Sequence, residues 1–108
     1  MSPSSFIHPP TQLEHRAIDV TTKSIADDTI TDLTLLHLGS LDLIGHNYGP
    51  HTEEMGIGLQ KIDNAIFKII KTIYESPSDI QLVIFSDHGM SPIHEYINMS
   101  DIVKGLSV

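Results

Sequence analysis

Two short apolar runs and one long periodic stretch organise the chain. Residues 82–85, Leu-Val-Ile-Phe, lead directly into Ser86-Asp87-His88-Gly89-Met90. A continuous apolar run of this kind predicts a strand buried on both faces, as parallel strands are. Its carboxyl end carries an acid and an imidazole, and Gly89 lets the backbone turn behind them. Residues 33–39, Leu-Thr-Leu-Leu-His-Leu-Gly, form the second run. Its leucines and the β-favouring Thr34 predict another strand, which Gly39-Ser40 ends. Residues 41–50 are punctuated by Gly45, Gly49 and Pro50 and are expected to form a loop, with Asp42 and His46 four positions apart on it.

Between the runs lies the clearest helix, predicted over 52–74. Met55, Leu59, Ile62, Ile66, Ile69, Ile70 and Ile73 recur every three or four residues. Thr52 is a good N-cap, and Glu53 and Glu54 occupy the first turn, where the helix dipole favours acids. Gly56 and Gly58 either weaken the first turns or mark close packing there. The Met and Ile stripe is core, and Lys68, Lys71 and Glu75 are solvated. Strand, loop, helix, turn and strand in this order make a βαβ unit with a right-handed crossover. The expected fold is therefore α/β with a mainly parallel sheet. Both strand tips would then lie on one sheet edge, the edge where ligands bind in open α/β sheets. Asp42 and His46 become neighbours of Asp87 and His88.

The flanks say less. Residues 1–12 hold three prolines and three serines and are expected to be extended or disordered, with His8 a solvated loop residue. Leu13, Ala17, Val20, Ile25 and Ala26 space a short helix within 13–29. Residues 91–108 contain Pro92 and two short apolar stretches, read as a short strand and a helical turn. Asn98-Met99-Ser100 fits the glycosylation acceptor pattern, which matters only in a secreted or lumenal protein.

Composition narrows the chemistry. One small domain fits in 108 residues, 40% of them hydrophobic, and the net charge of −8 argues against a nucleic-acid or anionic-membrane surface. With no cysteine, disulfides and thiolate metal sites are excluded. No apolar run approaches the ~20 residues that cross a bilayer, and the first ten residues lack a signal-peptide pattern. Two Asp–His pairs at one edge form a set of hard and borderline ligands suited to zinc, manganese and related ions. Two such ions about 4 Å apart can clamp the attacking and leaving oxygens of a phosphoryl transfer. The bland alternative keeps Ser86 and Asp87 as helix-capping residues and His88 as an ordinary loop residue, and Asp-x-x-x-His has little specificity by itself.

Taken together, Leu41-Asp42-x-x-Gly45-His46-x-x-Gly49-Pro50, a helix, and Ser86-Asp87-His88-Gly89-Met90 resemble the metal-binding core of the alkaline phosphatase superfamily. The resemblance covers residues 30–92 and points to the type I phosphodiesterase branch, which contains nucleotide pyrophosphatases and the ethanolamine phosphate transferases of GPI-anchor synthesis. It implies a three-layer sandwich around a mainly parallel sheet, of which residues 13–108 would be a part. It further implies that Asp42 and His46 bind one divalent metal together with a later histidine, for which His94 is a candidate by proximity. Asp87 and His88 would bind the second, with an earlier aspartate and a Ser or Thr nucleophile. No position here matches either of those two, so the chain is expected to be a fragment holding about half of a two-zinc site.

The resemblance divides at the level of branch. Leu36-His37, Leu41 before Asp42, and Gly49-Pro-His-Thr-Glu-Glu-Met55 are similar to the GPI ethanolamine phosphate transferases. Ser91-Pro-Ile-His94-Glu-Tyr-Ile-Asn98 is more similar to the nucleotide pyrophosphatases. The transferase resemblance implies transfer of phosphoethanolamine to a lipid-linked glycan on the lumenal side of the endoplasmic reticulum. The other implies hydrolysis of nucleotide phosphodiesters or pyrophosphates outside the cell. Any membrane attachment would be through segments not in this chain. A third reading is a non-catalytic remnant. His37 itself reads as a core histidine within its strand.

Overall fold

The computed structural model describes residues 12–106, and the expected extended segment over residues 1–12, His8 included, lies outside it but for Gln12. Four helices follow in order: α1 (Gln12–Ala26), α2 (Ser40–Tyr48), α3 (Glu53–Glu75) and α4 (Met99–Leu106). α1 and α2 each pack on α3, and α4 packs on none of them.

α3 forms as its sequence dictates. The Thr52 backbone is extended, and its hydroxyl accepts a hydrogen bond from the Met55 amide at 3.3 Å, with Glu53 and Glu54 in the first turn. This satisfies one of the orphan donors of a helix start. Ile62 and Ile69 are buried, Met55, Ile66 and Ile73 partly so, while Leu59 and Ile70 of the same stripe stay exposed. Of the two glycines in its first turns, Gly58 is the one that marks close packing. A Cβ there would lie 2.5 Å from Ile44 Cδ1 of α2, whereas Gly56 has nothing within 4 Å.

α1 is the helix expected over 13–29, but its buried face is displaced from the spacing first read. Leu13 and Val20 are exposed, and Glu14, Ile18, Thr22 and Ile25 face inward. Thr22 meets its need for a partner inside its own helix, donating to the Ile18 and Asp19 carbonyls. The helix ends in a Schellman motif, with the Thr29 amide on the Ser24 carbonyl and the Asp28 amide on the Ile25 carbonyl. Asp28 takes the left-handed position, at φ +56°, that glycine usually fills. Ile18, Ile25 and Ile69 form the core cluster, and Ile30, Leu36, Leu38, Ala65, Ile73 and Ile80 pack against it.

The expected loop over 41–50 is instead a helix. Ser40 opens α2, and its amide donates to Glu14 Oε1 of α1 at 2.7 Å, in a buried contact. A carboxylate at a helix N-terminus meets both an orphan N–H and the positive end of the dipole. Glu14 thus ties α2 to α1, two helices that otherwise meet only through α3. Gly45 sits inside α2 rather than breaking it. Gly49, at φ +96°, closes it with a hydrogen bond back to the Gly45 carbonyl.

The parallel sheet of the expected α/β sandwich does not form. Among the described residues there is no strand, and no backbone hydrogen bond joins residues 33–38 to residues 80–85. The physical reason is cover. A parallel sheet needs both faces buried, and two strands alone are marginal. Only Leu36, Leu38 and Ile80 reach the core, while Leu35 and Phe85 are each 81% exposed. The short strand expected after Pro92 is likewise absent, and the expected helical turn is α4. The Cα radius of gyration, 19.4 Å, exceeds the roughly 13 Å of a compact domain of this length, and from residue 81 to residue 106 nearly every residue is exposed.

Ile25, 1% exposed, lies at the centre of the core, so Ile25→Ala is expected to lower the unfolding free energy by about 2–4 kcal/mol in urea titrations. Glu14→Ala removes the charged cap of α2 and is expected to cost about 1.5–3 kcal/mol by the same measurement, with loss of helical circular dichroism.

Candidate metal-binding site

The two Asp–His pairs are positioned by different devices. Asp42 and His46 stand one helical turn apart on α2, which puts them on one face. Their contact, His46 Nε2 to Asp42 Oδ1, is 3.4 Å. Asp87 and His88 sit on the extended segment that follows the apolar run. There the His88 amide donates to Asp87 Oδ1 at 3.0 Å, and the Ser86 hydroxyl donates to the His88 carbonyl at 2.7 Å. These local bonds fold the tip into a tight bend.

The tip is brought against α2. His88 Nε2 lies 3.6 Å from Asp42 Oδ1 and 3.8 Å from Asp87 Oδ2. All four side chains therefore form one string, His46–Asp42–His88–Asp87, with the Asp42 carboxylate between two imidazoles. The separation of the pairs in sequence is 45 residues, from Asp42 to Asp87 (87 − 42). The convergence expected from a shared sheet edge is thus present without the sheet.

The ring of His88 has a defined role for each nitrogen. Its Nδ1 lies 2.8 Å from the Gly89 carbonyl, and a carbonyl only accepts, so Nδ1 carries the hydrogen. In the neutral ring Nε2 then keeps its lone pair, near the carboxylates of Asp42 and Asp87. A backbone carbonyl that sets the tautomer in this way is the usual partner of a metal-binding histidine. The Gly89 hydrogen bond and then the charge of Asp87 hold the His88 pKa above its ordinary value; burial opposes them, and the charge of Asp42 adds a lesser upward push.

The donor set suits a borderline divalent cation: two carboxylates, two imidazoles and no thiolate. The contacts of 3.4–3.8 Å are longer than hydrogen bonds. They approach the roughly 3.4 Å that separates two donors on one zinc ion at bonds of about 2.0–2.1 Å. Yet among the described residues no three such side chains close around a point that would hold an ion. The residues fit zinc in kind, and they are strung out rather than gathered around one tetrahedral centre. The site is also open, with Asp42 49% and His88 56% exposed at the side chain.

Among the described residues, no hydrogen bond or ion pair joins His37 or His94 to the string. His37 lines a 410 Å³ cavity with Glu14, Gly39 and Ser40, and it is exposed rather than a core residue. His94, proposed by proximity as a further ligand, is exposed on the segment leading to α4. Sequence reasoning missed the contact that seats the tip. Met90 packs on Gly45, a residue whose local signal is that of a loop. The available signal was Gly45 itself, since a glycine inside a helix marks either weakness or close approach.

Comparison with known proteins identifies the family of the sequence. The sequence model of the family described as type I phosphodiesterase / nucleotide pyrophosphatase matches residues 5–106. An uncharacterised pyrophosphatase/phosphodiesterase of Schizosaccharomyces pombe is 30% identical over 70 residues, 63% of this chain and 14% of its own length. The ectonucleotide pyrophosphatase/phosphodiesterase family member 7 of Rattus norvegicus is 28% identical over 96 residues, 86% of this chain and 21% of its own. GPI ethanolamine phosphate transferase 2 of Saccharomyces cerevisiae is 35% identical over 68 residues, 57% of this chain and 8% of its own. No solved structure matches. The chain therefore spans about a fifth or less of the length of these relatives, and among the described residues no helix is long and apolar enough to cross a membrane. A family match that runs from residue 5 to residue 106, across both Asp–His pairs and the helix between them, makes the chain a member of the type I phosphodiesterase / nucleotide pyrophosphatase family.

Proposed function

We propose that the chain carries half of a two-metal phosphoryl-transfer centre, with Asp42 and His46 holding one divalent ion and Asp87 and His88 the other. The observation that carries this reading is the 3.6 Å approach of His88 Nε2 to Asp42 Oδ1. It joins two pairs that are remote in sequence. Zinc suits imidazole and carboxylate together. When bound, the ions would supply charge stabilisation to the oxygens of a phosphate ester. The chain's own residues hold the donors. α2 sets the spacing of Asp42 and His46, and the Gly89 carbonyl sets the tautomer of His88. Each pair supplies two ligands, so the other ligands and the nucleophile come from groups beyond these four.

For the substrate, we infer a phosphoethanolamine ester transferred to the mannose of a GPI anchor, at the lumenal face of the endoplasmic reticulum membrane. Support comes from Leu36-His37, Leu41 and the segment over residues 49–55, and from the 35% identity to the yeast GPI ethanolamine phosphate transferase 2. A second reading, hydrolysis of nucleotide phosphodiesters at the cell exterior, is favoured by the 86% coverage of this chain in the match to the rat ectonucleotide family member. Turnover of a nitrophenyl nucleotide ester by the purified chain with zinc would decide for the second.

Calorimetric titration with zinc is expected to show saturable binding. Asp42→Ala, His46→Ala, Asp87→Ala and His88→Ala are each expected to weaken it at least about tenfold, as loss of a ligand exceeds loss of an orienting neighbour. His51→Ala serves as a histidine control. Unchanged affinity in all four variants would remove the metal reading.

The raised pKa of His88 sets the pH dependence. A proton on Nε2 competes with a metal, so zinc affinity is expected to fall as pH drops, with a midpoint above the 6.5 of an ordinary histidine. Stability of the metal-free chain runs the other way. The contacts of the imidazolium with Asp87 and Asp42 are fully present below the unfolded pKa and are lost as pH rises through the folded value. Histidine NMR titrations with and without zinc check both signs.

A further inference from the structure

From residue 81 to residue 106 every side chain is exposed except that of Met90, which is partly buried. This segment carries Asp87 and His88, and α4 beyond it packs on no other helix. Met90 is its point of attachment to the helical body. The thioether rests on Gly45 of α2, where an added Cβ would overlap the Met90 sulfur and come within 2.8 Å of Met90 Cε and 3.3 Å of Met55 Cε. Gly45 is buried, one residue before His46 and three after Asp42. Met55 approaches the same place from the first turn of α3. A methionine suits this seat, because its unbranched side chain fills irregular gaps.

We infer that Met90, lodged on the bare backbone of Gly45 and against Met55, is the positioning residue that holds Asp87 and His88 against Asp42 and His46. The inference rests on the metal reading for its consequence but not for its geometry. It acts by fixing the distance between the two donor pairs. Gly45 serves by lacking a side chain. Any Cβ there pushes the Met90 sulfur outward and carries the tip, two residues away, with it. The Gly45 position is then required by the approach of Met90, not by the bend of a loop.

The test uses the whole chain with 13C-methyl-labelled methionine, read by NMR without metal and by zinc calorimetry. In the wild type, nuclear Overhauser contacts are expected from the Met90 methyl to the Gly45 α-protons and the Met55 methyl, and from the His88 ring to the Asp42 side chain. Gly45→Ala is expected to weaken these contacts and to lower zinc affinity roughly tenfold, while its helix content holds or rises, because alanine favours helix over glycine. A residue that mattered only to stability would move the two readings in the same direction. Met90→Ala is expected to lose as much affinity, Met90→Leu to keep most of it, and the Gly45→Ala/Met90→Ala double variant to lose less than the sum, since both changes break one contact. Gly56→Ala, with open space around it, controls for helix propensity. If Gly45→Ala does not fold, the two Met90 variants carry the test, because Met90 lies outside the core cluster. His88–Asp42 contacts unchanged in Gly45→Ala or Met90→Ala, or strictly additive losses, would overturn the positioning role. Contacts present in the wild type and lost in the variants, beside a flat zinc titration, would uphold the positioning role and refute the metal reading.

Discussion

The structure depends on close approach to α3. Ile44 of α2 fits against Gly58, where a Cβ would stand 2.5 Å from its methyl. On the next stretch of the same helix, Ile62 and Ile69 are buried, and Ile69 closes the core with Ile18 and Ile25 of α1. One helix therefore orients both of the others. With Ile44 turned inward, Asp42 and His46 are left on the outer surface of α2. With Gly45 turned toward Met90, the tip that bears Asp87 and His88 has a seat. Glu14 adds a buried charged cap that fixes the start of α2 relative to α1. Two glycines and one carboxylate account for most of the geometry at the site.

Local physics made part of this legible in the sequence. α3 was readable because its signals agree: an N-cap at Thr52, acids in the first turn, and isoleucines at helical spacing. The two Asp–His pairs were readable as candidate donors because residue type alone carries that much of the chemistry. α2 was not. Gly45 and Gly49 weigh against a helix in any local reading, and only the approach of Met90 and Met55 shows why Gly45 stands inside one. The face of α1 was legible only in part: Ile25 is buried as its spacing predicts, while Leu13 and Val20 are exposed. Its inward Glu14 is polar, and its partner, the Ser40 amide, is 26 residues away.

The sheet is the instructive failure. Residues 33–38 and 80–85 have strand composition, but a strand is defined by its neighbours. A ladder needs a hydrogen-bonded partner and, when parallel, apolar cover on both faces. α1 and α3 cover one side of each run, at Leu36, Leu38 and Ile80. Leu33, Leu35, Val83, Ile84 and Phe85 remain exposed. Propensity is local and cover is not, so the tips could converge as predicted while the strands did not form. The exposed donors sit in a chain of net charge −8, a field that draws cations toward the open string of carboxylates and imidazoles.

The central claim is that His46 and His88, brought together through Asp42, bind divalent metal through Nε2. Long-range 15N–1H correlation of the histidine rings during zinc titration tests it most directly. The account predicts that the Nε2 resonances of His46 and His88 move together and saturate with zinc, that Nδ1 of His88 stays protonated on the Gly89 carbonyl, and that the ring of His37 is unmoved. Zinc-induced shifts at His37 with none at His88, or a hydrogen on His88 Nε2 in the neutral ring, would contradict it.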